Sequence, residues 1–114
     1  MINLNKTFFD NVFDVARLIP FGRVTTYGAI AKSIGSPNGA RMVGWAMSRS
    51  RYEKSYVPAH RVVNRNGMLT GKHHFSTAKT MEEKLKEEGI EVVSNKIINF
   101  KELFWNPVNE IDIT

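Results

Sequence analysis

Val57-Pro58-Ala59-His60-Arg61-Val62-Val63 is the stretch on which the reading of this chain turns. An apolar run is interrupted by a small residue, an imidazole and a guanidinium, with a proline near its start. Proline fixes its own φ and biases the residue before it toward an extended conformation, which predicts a single geometry over residues 57–59. A titratable ring beside a permanent cation, set between valines, suits a working site. The same seven residues also read as a short strand, with His60 satisfied in the core and Arg61 at the surface. The heptad alone leaves the two readings level.

Upstream of it, Thr7-Phe8-Phe9-Asp10 has the form of a capping box, and Phe8, Phe9, Val12, Phe13 and Ala16 come after it at helical spacing. A first helix is predicted to end near Leu18, ahead of Pro20 and Gly22. Gly22-Arg23-Val24-Thr25 reads as a turn. Thr25 or Thr26 then caps a second helix to about Ile34, stopped by Gly35, with Tyr27, Ile30, Ala31 and Ile34 on one face. Tyr27 reads as core by that spacing, yet it occupies the first turn, where unpaired N–H groups can receive a phosphate. Ser36-Pro37-Asn38-Gly39 is a turn, and a third helix runs from Ala40 through Met47. Two short helices across a tight turn are the helix-turn-helix pattern. Ala40, Val43 and Met47 share the face expected to be buried. Arg41, Gly44, Trp45 and Ser48 share another, where Gly44 leaves room either for close approach to DNA or for helix packing.

Downstream, residues 48–56 form a polar, basic connector whose Arg49 and Arg51 read as solvated charges or phosphate contacts. Asn64-Arg65-Asn66-Gly67 signals a hairpin turn, which with Met68 and Leu69 would make the wing of a winged helix. A fourth helix, opened by Ser76 or Thr77 and ended by Gly89, turns Ala78, Met81 and Leu85 toward the core. By this pattern Glu88 is a surface charge at a helix C-terminus, where the macrodipole disfavours acids. Residues 90–93 and 96–98 are short and extended, and Asn99-Phe100-Lys101-Glu102 is a second capping-box pattern. His73 and His74 are adjacent, with no acid or third histidine at ligand spacing, so no metal site is predicted.

At 114 residues the chain suffices for one core without staples, and one domain is expected over 1–114, with its core at about 5–105 and a tail over 106–114. A composition 42% hydrophobic and 24% charged excludes a chain disordered in bulk. No apolar run approaches a membrane span and residues 1–6 lack a signal-peptide core, so a cytoplasmic protein with no membrane partner is expected. The absence of cysteine excludes disulfides, thiolate zinc sites and thiol nucleophiles. The net charge of +5 is unevenly placed: residues 1–80 hold 12 Lys/Arg against 3 Asp/Glu, and residues 81–114 hold 4 against 8. A basic front with an acidic rear predicts a polyanion-binding face.

Taken in order, these motifs carry a resemblance. Pro58-Ala59-His60-Arg61-Val62 is similar to the Pro-Cys-His-Arg-Val active-site motif of the O6-alkylguanine-DNA alkyltransferases, with alanine where the cysteine belongs. Ala40-Arg41-Met42-Val43-Gly44 resembles their Ala-Arg-x-Val-Gly recognition helix, and Leu85-Lys86-Glu87-Glu88-Gly89 their Leu-x-x-Glu-Gly. The likeness runs from about Thr7 to Leu103 and places the chain with the alkyltransferase-like proteins, which lack the nucleophile. It implies an α/β, mainly α, winged helix-turn-helix domain like the C-terminal domain of those transferases.

The resemblance also implies roles. Arg41 would enter the duplex through the minor groove and fill the place of an extruded base, with Gly44, Trp45 and Ser48 on the same DNA-facing side. Tyr27 would contact the backbone at the flipped nucleotide. Tyr27, Pro58, Ala59, His60, Arg61 and Glu88 would make the lesion pocket, Glu88 hydrogen-bonding His60. An alkyltransferase attacks the alkyl carbon with a thiolate, and Ala59 offers only a methyl group, so no catalytic residue is expected. The implied function is a non-enzymatic sensor of O6-alkylguanine that flags the lesion for nucleotide excision repair. Its expected partners are double-stranded DNA carrying the lesion and the excision-repair proteins, with no cofactor, and a monomer associated with the nucleoid when bound. The chain departs from the pattern at Trp45, in lacking an Asn-Pro hinge within 48–56, in its Thr70–Phe75 loop, and in having Ala59 where most alkyltransferase-like proteins have tryptophan. Two other readings stay open: a true transferase inactivated by a Cys-to-Ala change, and a winged-helix transcriptional regulator.

Overall fold

The computed structural model describes residues 6–111. Its first helix, α1 (Phe8–Arg17), begins where Thr7 accepts the Asp10 amide at 3.1 Å. Val12, Phe13, Val15 and Ala16 are buried along one side. Gly22 at φ 80° turns the chain after Pro20. The residues after Gly22 do more than turn. Val24 bridges to Phe104, and Thr25–Thr26 form β1, which pairs in parallel with β2 (Val62–Val63). A parallel pair needs a long crossover, and everything between 27 and 61 supplies it.

The crossover opens with α2 (Tyr27–Ser33), capped by the Thr26 hydroxyl accepting from the Ala29 amide at 3.0 Å. Gly35 at φ 79° ends that turn, and α3 (Ala40–Ser48) completes the helix-turn-helix. Ile30, Ala31, Ile34, Val43, Ala46 and Met47 close the contact between the two helices, whereas Ala40 is only half-buried. Short 3-10 turns then occupy Ser50–Tyr52 and Ala59–Arg61. The motif stretch is thus tightly turned at its centre and extended only from Val62 onward.

After β2, Asn64 organises the predicted turn by accepting the amides of Asn66 and Met68 at its side chain, both at 2.9 Å. The partner of Met68 differs from expectation: it bridges Lys96 in a separate antiparallel hairpin, β3 (Val92–Val93) and β4 (Lys96–Ile97). Ser94 and Asn95, both at positive φ, make the tight two-residue connection such hairpins favour. A 3-10 turn over Thr70–His74 precedes α4 (Thr80–Glu87), which starts later than its sequence signal. Ala78 accordingly lies exposed in the preceding turn, while Met81 and Leu85 are fully buried. The short helix α5 (Phe100–Leu103) forms without the predicted cap, because Asn99 is itself left-handed at φ 62°. In the tail, α6 (Pro107–Glu110) is capped by Asn106, packs on α2, and is held by Arg23, which reaches Glu110 at 3.1 Å. Residues 112–114 of that tail, and residue 5 at the expected start of the core, lie outside the described residues.

Successive strand residues point to opposite faces, and β2 uses this to serve two apolar clusters. Val62 joins α1, α2, α3 and Trp105; Val63 joins Leu69, Met81, Leu85, Ile90 and Ile97. The fold is a mainly helical α/β winged helix-turn-helix. The Ala59–Arg61 turn sits at the seam where its two clusters meet.

Candidate functional site

His60 and Glu88 form the buried centre of the site, with side chains 4% and 5% exposed. His60 Nε2 lies 2.5 Å from Glu88 Oε2. Arg61 Nε donates to both carboxylate oxygens at 3.0 and 2.9 Å, Arg61 Nη2 lies 2.8 Å from Oε2, and the Gly22 amide donates to Oε1 at 2.8 Å. Burial alone would raise the pKa of Glu88, but the hydrogen bonds from Arg61, His60 and Gly22 outweigh it and hold the carboxyl below its usual range. Burial lowers the pKa of His60, and the charges of Arg61 and Lys84 add to that against the opposing pull of Glu88. With Glu88 ionised and His60 neutral, the shared proton belongs to Nε2, so Nδ1 is the free basic nitrogen of the ring. Arg61 Nη1 also donates to the Ile19 carbonyl at 2.9 Å, and its guanidinium lies 5.7 Å from the exposed Phe21 ring. This is an acid–base relay anchored to the Ile19 carbonyl that follows α1, to the Gly22 turn and to the end of α4.

In front of the relay is a cavity of about 360 Å³. Val57 and Ala59 line it together with Met47 and Ser48 from the end of α3. The connector supplies Arg51, Glu53 and Tyr56; His74 and Phe75 also border it, with Thr80 and Lys84 from α4. Arg51 ties the connector to the Thr70–His74 turn by donating to the His74 carbonyl at 3.3 Å. The volume is in the range of small-molecule sites, and the lining mixes apolar side chains with a few polar and charged ones.

Beside this cavity, α3 presents an open surface. Arg41 is exposed and makes no hydrogen bond or ion pair with any described residue; Met42 and Trp45 are exposed, and apart from its chain neighbours and its own helix backbone no described residue stands within 4 Å of where a Cβ on Gly44 would lie. Ser48 turns its hydroxyl back to the Trp45 carbonyl at 2.6 Å. An exposed cation and an indole flanking a bare backbone suit the groove of a nucleic acid.

Residues 7–90 match the family model described as the DNA-binding domain of 6-O-methylguanine DNA methyltransferase. The chain belongs to this family. It is 35% identical to alkyltransferase-like protein 1 of Schizosaccharomyces pombe over 104 residues, which is 88% of this chain and 95% of the relative. It is 39% identical to the DNA base-flipping protein of Escherichia coli over 102 residues, covering 88% and 75% of the two chains. Its fold is similar to that of the S. pombe protein crystallised with damaged DNA containing O6-carboxymethylguanine, with a TM-score of 0.71, 37% identity, and 86% and 94% coverage.

Within that family frame, the residues expected in the pocket fall into three groups. Ala59 borders the cavity. His60, Arg61 and Glu88 lie outside its lining, as the buried layer behind, and Pro58 is buried beside them. Tyr27 is also outside the lining: it is half-buried, and its hydroxyl lies 2.9 Å from where a Cβ on Gly71 would stand. Burial raises the pKa of Tyr27, with a hydrogen bond to Thr70 working against it. The surface-charge reading of Glu88 is therefore corrected: the residue sits at the end of α4 but points inward, and Arg61 is drawn in with it. Sequence reasoning missed the Gly22 amide, which contributes no side chain, and Lys84, which looks like any lysine of a charged helix. Arg51 does not extend free as a phosphate contact, since it is committed to His74 and to Tyr52. Of the two adjacent histidines, His74 reaches the cavity wall and His73 is exposed.

Proposed function

We propose that this protein is a non-enzymatic sensor of O6-alkylguanine in duplex DNA, which flips the altered base into the cavity above Ala59 and leaves it intact. One observation carries the reading. The His60–Glu88 relay is complete and buried, and the residue next to His60 in the chain, which borders the cavity, is an alanine. A relay that would take a thiol proton has no thiol to serve, so alkyl transfer lacks its nucleophile. Recognition then rests on extrusion. Flipping costs roughly a few kcal/mol and least for a poorly paired base, which favours a guanine altered at O6 before any pocket contact is made.

In this reading α3 lies in the minor groove, Arg41 takes the place of the extruded base, and Gly44 lets the helix backbone approach. The names of the relatives, an alkyltransferase-like protein and a base-flipping protein, support it. Because the lesion survives binding, its removal falls to a separate excising activity, and nucleotide excision repair proteins are the implied partners of a monomeric sensor. The test is binding to paired duplexes that differ by one O6-methylguanine. Preference for the modified duplex supports the reading, and equal binding overturns it.

A further inference from the structure

We infer that Lys84 makes the cavity selective for acidic O6 substituents: an adduct ending in a carboxylate is held against the Lys84 ammonium. The inference rests on the lesion-sensor reading and specifies the chemistry of the ligand within it.

Three charged side chains line the cavity, and two are already committed. Glu53 accepts from Arg17 Nη2 at 3.1 Å. Arg51 donates to the His74 carbonyl and, at 2.9 Å, to the Tyr52 hydroxyl, over whose ring its guanidinium lies at 4.9 Å. Lys84 is different. It is half-buried and forms no hydrogen bond or ion pair with any described residue, and its Nζ lies 6.0 Å from the Tyr56 ring. The acid one turn further along, Glu88, is turned away and saturated by His60, Arg61 and Gly22. Lys86 on the same helix, by contrast, pairs with Glu82 at 2.9 Å.

A flipped nucleotide that filled the cavity would strip water from this ammonium. A neutral alkyl group would then leave a desolvated cation without a partner, which is costly, whereas a carboxylate would supply a charge-assisted hydrogen bond. The discrimination is by charge rather than by size, since Ala59 already leaves room. The same ammonium could instead meet a phosphate of the flipped strand, and the experiment separates these two sources of anion.

The test uses the full chain and four duplexes identical except at one guanine: unmodified, O6-methyl, O6-carboxymethyl, and O6-carbamoylmethyl, the neutral near-isostere of the acid. The acid should bind about ten-fold more tightly than the amide, the scale of one hydrogen bond to a charged partner. Lys84→Gln should bring that ratio close to one by weakening the acid alone, with O6-methyl binding tightened rather than weakened because no desolvated cation remains, and Lys84→Arg should restore most of the ratio. Equal binding of acid and amide by the native chain, with O6-methyl still preferred over unmodified DNA, overturns the inference alone. Uniform weakening of all four duplexes by Lys84→Gln also overturns it, because that marks a phosphate contact. No preference for any lesion over unmodified DNA refutes the sensor reading itself.

Discussion

Replacing Glu88 by alanine tests whether the buried relay holds the fold together as well as shaping the site. The carboxylate receives donors from His60, Arg61 and the Gly22 amide, at distances between 2.5 and 3.0 Å. His60 has no route to solvent, with a side chain 4% exposed, so its Nε2–H would be orphaned at about 1–3 kcal/mol. Arg61, 14% exposed, keeps the Ile19 carbonyl but loses its only counter-charge among the described residues. Breaking one side of a buried ion pair costs about 3–5 kcal/mol. Total stability for a domain of this kind is about 5–15 kcal/mol, so Glu88→Ala should leave the protein folded but much weakened. In urea, with a slope of about 2 kcal/mol per molar, the midpoint should fall by about 1.5–2.5 M. Arg61→Met combined with Glu88→Ala should cost less than the sum of the single changes, because the second removes a charge that the first has already stranded. A loss below about 1 kcal/mol, the range of exposed pairs, would refute the reasoning and return Glu88 to the surface role its position at a helix end suggests.

The same geometry sets three further outcomes. Burial holds His60 below its unfolded value of about 6.5, so the unfolded chain binds more protons and stability should fall as pH drops below about 6.5, with a further loss as pH passes through the depressed pKa of Glu88; a urea midpoint unchanged between pH 7.5 and 5 contradicts this. Ala59→Trp should narrow the cavity and weaken binding of bulky O6 adducts more than of O6-methyl, as read by competition binding; equal losses would mean that residue 59 does not border the bound base. Arg41→Ala should cost about 1–3 kcal/mol of lesion binding and shrink the lesion-over-normal ratio, while Lys54→Ala, in the exposed connector, should leave that ratio nearly unchanged. Matching behaviour of the two variants would reduce Arg41 to one charge on a basic face.

The parts of the fold readable from the sequence are those whose causes are local. Thr7 and Thr26 cap their helices because a hydroxyl at that position meets an amide three residues on, and Gly35 and Gly89 adopt the positive φ that ends a helix. The parts that escaped depend on contacts distant in sequence. Val24 and Thr25 look like a turn until Phe104 and β2 arrive to pair with them. Asn99 matches a capping box by composition, yet the β4 hairpin delivers it in a left-handed conformation that cannot cap. The site divides the same way. The Ala59-His60-Arg61 order and the Glu88 position are carried by motif, so the hydrogen bond between His60 and Glu88 follows from the resemblance. That Arg61 and Gly22 also converge on Glu88 follows only from the packing of the segment over residues 19–22 against the end of α4, because helical pattern alone points a charged residue outward. Lys84 carries no signal until its neighbours are seen to be paired elsewhere.

The central claim is recognition of O6-alkylguanine without chemistry. It is tested most directly by isolating the complex on a duplex holding one O6-methylguanine and locating the methyl group by mass spectrometry of both components. The account predicts a complex in which the protein mass is unchanged and the methyl remains on the guanine. A protein heavier by one methyl, or a duplex returned to unmodified guanine, would contradict it.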